Sequence, residues 1–338
     1  MKILVIGKPT YNIILTQDKY LVEGSKNILK EKYEMMGGAS VYAATLLAKW
    51  GLDVTYTGVL GADPNGQKIK TDLENSGVNT KYIELNYENK TSIDYILINK
   101  ANGSSTQMIT EMPVNLAKYK YDFIPDYIIM DGTDPQGSLA ALNNFPHAKF
   151  ILLANKVDQE LYNISKRCTH VVANSSFAKA LTKMDLELNK SKALVNFFQK
   201  IKDLNKAEYV VTLKDKGVLY TKEREVKMLP ATKTNVVDDT NAGAVFFGTY
   251  CYGLINGLDK DITMKIATTS AALSMQKYGI ESIPKLEEVC NILNIKITSQ
   301  SEKEEPNNAQ SEETDMPKEN VEWSIYKYPS INRLTRIL

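Results

Sequence analysis

The segment from residue 236 to residue 247 is the part of the chain whose residue types could do chemistry. It reads Val-Val-Asp-Asp-Thr-Asn-Ala-Gly-Ala-Val-Phe-Phe, so small polar turn residues lead directly into an apolar run. The first turn of a helix has unpaired backbone N–H groups and the positive end of the helix dipole, and small side chains let a phosphate approach them. The 236–247 segment therefore predicts an anion hole, although an ordinary Asp or Thr helix cap has a similar sequence.

Other kinds of site have little support in the residue inventory. The three cysteines, Cys168, Cys251 and Cys290, are far apart and match no metal-binding spacing, which is typical of free thiols in a reducing compartment. The two histidines, His147 and His170, have no partner at metal-ligand spacing, so no zinc site is predicted. A formal net charge of +1 gives no global electrostatic basis for binding nucleic acid or a membrane surface.

No segment of the chain predicts secretion or membrane insertion. The N-terminal apolar run over residues 3–6 is followed by Gly7 and lacks the longer apolar stretch of a signal peptide. No run approaches the roughly 20 apolar residues that a transmembrane helix needs. We therefore expect a cytoplasmic protein.

The elements that must position the 236–247 segment alternate between strands and helices. Short apolar runs separated by helical stretches predict a mostly parallel sheet of about eight or nine strands with helices on both faces. The strand-like runs are residues 3–6, 54–61, 127–130, 150–153, 170–173 and 209–213. The predicted helices are residues 39–50, ended by Gly51, then 65–77, 242–256 and 259–277.

Two further stretches favour β-structure but do not fit this alternation. Residues 12–36 contain short strand-like runs with polar turns, and residues 92–110 predict a hairpin across Asn102-Gly103, a dipeptide favoured in tight turns. We predict that residues 12–36 and 85–112 together form a small antiparallel flap. This flap should cover the C-terminal edge of the sheet, where ligands bind in open α/β folds.

The composition changes near residue 298, at the end of a predicted 1–297 domain. Residues 298–320 are rich in Glu, Ser, Asn, Gln and Pro with almost no large apolar side chain, which predicts a disordered acidic linker. Residues 321–338 regain aromatic and basic side chains, including Trp323 and Arg333. This last segment either folds back on the parent domain or acts as a docking motif for a partner protein or a sister subunit.

Ordered motifs along residues 1–295 resemble those of the PfkB (ribokinase-like) family of carbohydrate and nucleoside kinases. The 236–247 segment resembles the family signature Asp-Thr-x-Gly-Ala-Gly-Asp, and residues 61–66 and 212–217 resemble its Gly-x-Asp-x-x-Gly and Thr-x-Gly-x-x-Gly. The resemblance implies a three-layer α/β sandwich with a mostly parallel central sheet and a β flap as its lid. It also implies ATP- and Mg²⁺-dependent phosphorylation of a sugar or nucleoside hydroxymethyl group, and a homodimer formed through the flap.

The resemblance assigns residues to each part of such a site. The substrate residues that it implies are Asn12, Gly37, Gly38 and Tyr42. The nucleotide residues are Asn174, Thr212, Lys214, Gly217 and Gly279. The anion hole is formed by Asn241, Ala242 and Gly243.

The residue that acts as the catalytic base in this family is missing. The final Asp of the signature maps onto Ala244, and the ungapped match of Ala242 and Gly243 excludes a register shift. Alanine has no proton acceptor, and general-base catalysis typically contributes about 10²–10⁴-fold. Asp238 and Asp239, just before the anion hole, are the candidates for a substitute base.

Further departures affect both sides of the expected site. Asn241 replaces the first glycine of the anion hole, Phe177 replaces the metal-relay glutamate, and Lys214 replaces a nucleotide-side glycine. These changes put the binding of ATP and Mg²⁺ in doubt, and no metal ligand is predicted. At the sugar end Asn12 replaces an aspartate and Tyr42 replaces an asparagine.

Three functions are compatible with these residues and with the family resemblance. The first is a catalytically impaired kinase homologue that binds a sugar or nucleoside, or acts as a regulatory or scaffold protein. The second is an active ATP-dependent sugar or nucleoside kinase with a substitute base. The third is a structural subunit of a larger assembly.

Overall fold

The computed structural model describes residues 1–19 and 21–297, together with the backbone of residues 324–327. The predicted linker at 298–320 and the rest of the 321–338 segment lie outside the described residues. No helix in the described part of the chain combines the length and the apolar character needed to cross a bilayer.

Strands and helices alternate along most of the chain, as the sequence predicts. The strands are β1 (Ile3–Ile6), β2 (Thr10–Gln17), β3 (Glu31–Gly37), β4 (Val54–Gly61), β5 (Asn79–Asn86), β6 (Ile93–Asn99), β7 (Ser104–Thr110), β8 (Tyr127–Met130), β9 (Lys149–Ala154), β10 (His170–Asn174), β11 (Glu208–Thr212), β12 (Val218–Lys222), β13 (Glu225–Leu229) and β14 (Ser324–Lys327). The helices are α1 (Ala39–Lys49), α2 (Pro64–Asn75), α3 (Pro135–Asn144), α4 (Gln159–Ser165), α5 (Ser175–Thr182), α6 (Ser191–Leu204), α7 (Ala242–Ile255), α8 (Lys260–Ser274) and α9 (Leu286–Leu293).

Among the described residues a ten-stranded sheet has the order β14-β13-β12-β11-β10-β9-β8-β1-β4-β5. The strands from β5 to β11 are parallel, whereas β12 runs antiparallel to both of its neighbours. Strand β1 lies between β4 and β8, with Ile3 opposite both Val54 and Tyr127. Nine of the ten strands come from residues 1–297, and β14 pairs in parallel with β13 at the edge.

The side chains of β1 show why the molecule has three layers. Successive residues of a strand point to opposite faces. Ile3 and Val5 pack with α1, α7 and α8, whereas Leu4 and Ile6 pack with α3, α4, α5 and α6. Both faces of the sheet are therefore buried by helices, and the predicted three-layer sandwich with a mostly parallel sheet is confirmed.

The predicted flap is present as a four-stranded sheet of order β3-β2-β6-β7. Its two hairpins are antiparallel, as predicted, and they are joined through a parallel central pair, β2 and β6, which the sequence did not predict. The reason is topological: β2 follows β1 and β6 follows β5, so both enter the flap from the same end of the central sheet. The predicted 85–112 boundary is also early, because residues 85–86 belong to β5 of the central sheet.

The hairpin of β12 and β13 has no prediction in the sequence. Its turn is formed by Glu223 and Arg224, which have positive φ angles of 49° and 70°. Such a turn normally contains Asn or Gly at these positions. Since the turn contains neither residue, the sequence has no signal that would predict this hairpin.

Candidate functional site

The flap contacts the 236–247 segment. Oγ of Ser105 on β7 donates to Oδ1 of Asp239 at 2.9 Å, and the Asp239 N–H donates to the Gly103 carbonyl at 3.3 Å. The Val237 N–H donates to the carbonyl of Met275, just after α8, at 2.7 Å. These bonds hold the β6–β7 hairpin against the start of α7.

Asp238 is buried and shapes the turn before α7. Its Oδ1 accepts from the Thr240 N–H at 2.9 Å and its Oδ2 from the Gly279 N–H at 3.4 Å. Burial raises the pKa of this carboxyl above its usual range, while the bonds from Thr240 and Gly279 oppose the rise. Gly279 also borders Met35 and Ile14 of the flap, so it lies beside the flap and the 236–247 segment.

The start of α7, which the sequence predicts as an anion hole and which we call the cradle, has an open first turn. Asn241 precedes the helix without a side-chain cap, and Ala242 and Gly243 are its first residues. Gly243 is exposed, and a Cβ added to it would meet nothing within 4 Å. Oγ1 of Thr240 and Nδ2 of Asn241 are buried and have no hydrogen-bond partner within the described chain. A phosphate group fits such a place, because the free N–H groups of a first helical turn bind anions.

Ala244 follows the cradle and belongs to the hydrophobic core. It is buried and clusters with apolar residues of α1 and α7, including Leu47 and Phe247. Its methyl group offers no site for a proton. The position that the family resemblance assigns to the base is therefore a packing position in this chain.

Asn12, Gly37 and Gly38 come together at the base of the flap. Asn12 is buried, accepts from Oγ1 of Thr10 at 2.7 Å, and packs so closely on Gly37 that a Cβ there would lie 2.1 Å from Nδ2 of Asn12. Gly38 caps the start of α1 with φ = 102°, a conformation that favours glycine. A Cβ at Gly38 would also lie 2.7 Å from the Lys8 carbonyl oxygen.

Tyr42 links this region to the 236–247 segment. It lies on the first turns of α1, is fully buried, and its hydroxyl has no hydrogen-bond partner among the described residues. Burial raises the pKa of this hydroxyl well above its usual range, and the carboxylates of Asp238 and Asp94 raise it further. The hydroxyl therefore lies near two acidic groups from different elements.

Asp94 is a candidate site residue that the sequence motifs do not indicate. It lies on β6 directly opposite Asn12 on β2, and only 7% of it is exposed. Oδ2 accepts from Nε2 of Gln107 on β7 at 3.3 Å, whereas Oδ1 is buried without a partner in the described structure. Burial raises the pKa of its carboxyl to about 6. The one available sequence signal is an aspartate inside a strand, where aspartate is depleted.

We name Asn12, Gly37, Gly38, Tyr42 and Asp94 the flap-side cluster. Four of these five residues are predicted from the sequence, and the structure brings all of them to the base of the flap.

Asn174 is predicted on the nucleotide side and has a local structural role. It caps α5, where Oδ1 accepts from the Phe177 N–H at 2.8 Å and Nδ2 donates to the Asn155 carbonyl at 2.7 Å. Phe177 is fully buried, with its ring 4.8 Å from that of Tyr162. The position to which the resemblance assigns a metal-relay glutamate is therefore occupied by a side chain of the core formed with α4 and α6.

Residues 212–217 form a tight loop after β11. Oγ1 of Thr212 donates to the Ala173 carbonyl at 3.4 Å, next to the end of β10. Gly217 has φ = 100°, and Lys214 has φ = 56° although it is not glycine. A left-handed conformation costs a non-glycine residue roughly 1–2 kcal/mol. The loop therefore keeps a glycine-like backbone at the position where lysine has replaced glycine. We use the name nucleotide-side loop for Thr212, Lys214 and Gly217 of this loop together with Asn174, which lies beside Thr212 at the end of β10.

The motif over residues 61–66 anchors the flap. Asp63 caps α2 by accepting from the Gly66 N–H at 2.9 Å, and it also accepts from the N–H and hydroxyl of Thr91 at 2.8 Å each. Burial raises the pKa of Asp63, but these three bonds outweigh that effect, so its pKa lies below the usual range. Since Thr91 precedes β6, Asp63 ties the flap to the central sheet.

No cluster of three or more His, Cys, Asp or Glu side chains suited to a metal ion occurs among the described residues.

The two candidates for a substitute base both accept hydrogen bonds. Asp238 accepts one from the Thr240 N–H within its own turn, and Asp239 accepts one from the Ser105 hydroxyl.

The sandwich, the flap and the helix start at residue 242 define the class of protein. A family model described as "pfkB family carbohydrate kinase" matches residues 1–286, and the chain belongs to this family.

Relatives are known from bacteria and plants. A ribokinase of Bacillus subtilis is 23% identical over 307 residues, which covers 86% of this chain and 99% of the relative. The crystal structure of a ribokinase from Thermotoga maritima is similar with a TM-score of 0.68 and 25% identity, covering 86% of this chain and 99% of the other. A ribokinase of Arabidopsis thaliana, solved with ribose and ATP, has a TM-score of 0.68 and 19% identity, covering 87% and 99%.

Proposed function

We propose that this protein binds a small sugar and a nucleotide but transfers the phosphoryl group slowly or not at all. The observation that carries the proposal is Ala244, a core-packed methyl group in the first turn of α7 where the family has its base. Because general-base catalysis contributes about 10²–10⁴-fold, turnover should fall by that order relative to a complete kinase site.

Nucleotide binding is supported by the cradle at the start of α7. The space at Gly243 is open, and the Thr240 hydroxyl and the Asn241 amide, which have no partner among the described residues, could bond to phosphate oxygens. The backbone N–H groups of Ala242 and Gly243 would stabilise its charge. Bound ATP would supply the transferable phosphoryl group.

Support for Mg²⁺ is weaker. Phe177 replaces a carboxylate and faces the core, and both ends of the Asn174 amide are engaged in local hydrogen bonds. Mg²⁺ prefers carboxylates, water and phosphate oxygens as ligands. We therefore expect the nucleotide itself to provide most of the ligands to any cation.

A substitute base is disfavoured by the geometry of the two candidates. Asp238 accepts bonds from two backbone N–H groups, and moving it would break the turn before α7. Asp239 is held by Ser105 of the flap. Because each carboxylate already has a structural partner, we rank an active kinase that uses one of them as its base second to the impaired kinase.

The same proposal includes a homodimer, a partner contact through residues 321–338 and a cytoplasmic location. The flap has two edge strands, β3 and β7, and Met108 and Ile109 on β7 are about half exposed. Exposed edge strands with apolar side chains favour pairing with a second chain. Light scattering of the purified protein tests the dimer.

The proposal is tested by binding and turnover measured on the same preparation. D-ribose, 2-deoxy-D-ribose and ATP, with and without Mg²⁺, are titrated while thermal shift and heat are recorded, and ADP release is followed separately. We expect saturable binding of a sugar and of ATP, with ADP release close to background. Turnover at ordinary kinase rates would refute the impairment, and a lack of binding by both ligands would favour a structural role.

A further inference from the structure

The strand register of the flap places an acidic side chain beside the predicted substrate residues. Asp94 on β6 is directly opposite Asn12 on β2, and Ile96 two residues on is opposite Ile14. Ile14 and Ile96 are fully buried and pack together, so this face of the flap is turned towards the interior. Because side chains alternate along a strand, Asp94 is on the same interior face.

Two polar atoms in this region are buried and unpartnered in the described structure. They are Oδ1 of Asp94 and the hydroxyl oxygen of Tyr42. A buried polar group without a partner costs about 1–3 kcal/mol. Two such groups, on the flap and on α1, indicate that the place is completed by a ligand.

The neighbours of Asp94 indicate the chemistry of that ligand. The flap groups beside it are the amides of Gln107 and Asn12, and the buried Tyr42 hydroxyl of α1 lies within electrostatic range of its carboxylate. Within the described residues no basic side chain is ion-paired or hydrogen-bonded to Asp94. The free carboxylate oxygen can only accept, so the ligand has to donate a hydrogen bond to it.

We infer that Asp94 is a specificity-determining residue, which accepts a hydrogen bond from a hydroxyl group of the bound sugar while Tyr42 bonds to a second polar atom of it. This inference rests on the proposed sugar binding. In the flap-side cluster Asn12 has no charge, and Asp94 supplies a carboxylate from the adjacent strand.

The arrangement should discriminate strongly between sugars. A site built to bond a hydroxyl rejects an analogue that lacks it, because its own buried polar group is then left unpaired. A hydrogen bond to a charged group is worth about 1.5–3 kcal/mol, which corresponds to roughly 10–100-fold in affinity.

The test uses the full chain and calorimetric titration with D-ribose, 2-deoxy-D-ribose, D-fructose and D-glucose. The tightest of these sugars is then titrated against Asp94→Ala, Asp94→Asn and the control Asp18→Asn. Asp18 is an exposed acid of the flap, paired with Lys30. Circular dichroism checks that each variant is folded.

We expect Asp94→Ala to raise the Kd at least tenfold, Asp94→Asn to raise it less, and Asp18→Asn to leave it within twofold. If the native protein binds a sugar and both Asp94 variants bind it equally well, the inference is wrong while the proposed function stands. If the native protein binds none of the four sugars, the proposed sugar binding fails, and the inference fails with it.

Discussion

The flap-side cluster and the nucleotide-side loop differ in how their polar side chains are satisfied. In the flap-side cluster Asp94 and Tyr42 have buried polar atoms without hydrogen-bond partners among the described residues. In the nucleotide-side loop both ends of the Asn174 amide are used locally, and the nearby Phe177 is part of the core. This contrast is the reason that we propose a polar small molecule under the flap and expect little cation binding at the Phe177 position.

The largest expected effect, and the strongest test of this contrast, comes from substituting Phe177. Phe177→Glu, which restores the family residue, should destabilise the fold by about 3 kcal/mol or more, because it buries an unpaired charge. Urea unfolding measures this, with Phe177→Leu as a control that should cost far less. If the Phe177→Glu protein were stable and bound ATP more tightly in the presence of Mg²⁺, this position would belong to the site.

The burial of Asp94 predicts a pH-dependent stability. Its folded pKa of about 6 lies above its usual value, so the folded state binds this proton more tightly, and the contribution of Asp94 to stability falls as pH rises from about 4 to 6. Asp94→Asn removes the buried charge and should stabilise the sugar-free protein by about 1–2 kcal/mol at pH 7.5. This gain should vanish near pH 4.

Urea melts of Asp94→Asn and the native protein at pH 4 and pH 7.5 measure that difference, and Asp18→Asn serves as the exposed control. A stability gain that is equal at both pH values would show that the carboxylate of Asp94 is not the cause. Asp94 would then no longer support the contrast between the flap-side cluster and the nucleotide-side loop, and only Tyr42 would remain.

The nucleotide-side loop offers a smaller test through its backbone. Lys214→Gly should stabilise the fold by about 0.5–1 kcal/mol, since glycine adopts a positive φ without strain. Lys216, in the same short turn, is not among the residues with positive φ, so Lys216→Gly should destabilise by a similar amount. Thermal melts of both variants decide whether the left-handed residue is strained.

The smallest expected effect concerns Ala244, the position to which the family resemblance assigns the base. We expect Ala244→Asp to raise ADP release less than tenfold, because Asn241, Phe177 and Lys214 still depart from the family pattern. Ala244→Asn is the matched control, as it has a similar shape and no proton acceptor of comparable basicity. A gain of 10² or more from the single aspartate would show that the nucleotide side is intact, and the contrast between the two regions would disappear.

Much of the fold follows from local patterns in the chain. Buried parallel strands read as continuous apolar runs, so the strands near residues 3, 54, 127, 150, 170 and 209 are predicted within a few residues. The glycine-bounded helix after Gly38 and the hairpin at Asn102-Gly103 are predicted for similar reasons. The flap pairing of β2 with β6 is not, because it depends on how two distant hairpins leave the central sheet.

The sequence by itself determined the family and the predictions for the start of α7 and for Ala244, because these depend on residue type at ordered positions. Only the tertiary structure decided which polar groups have partners. Asp238 is held by Gly279 from 41 positions away, whereas Asp94 lies opposite Asn12 and one of its oxygens has no hydrogen bond within the described part of the chain. Partners of this kind come from chain segments that only the fold brings together, so residue type alone cannot show which carboxylate is free to meet a ligand.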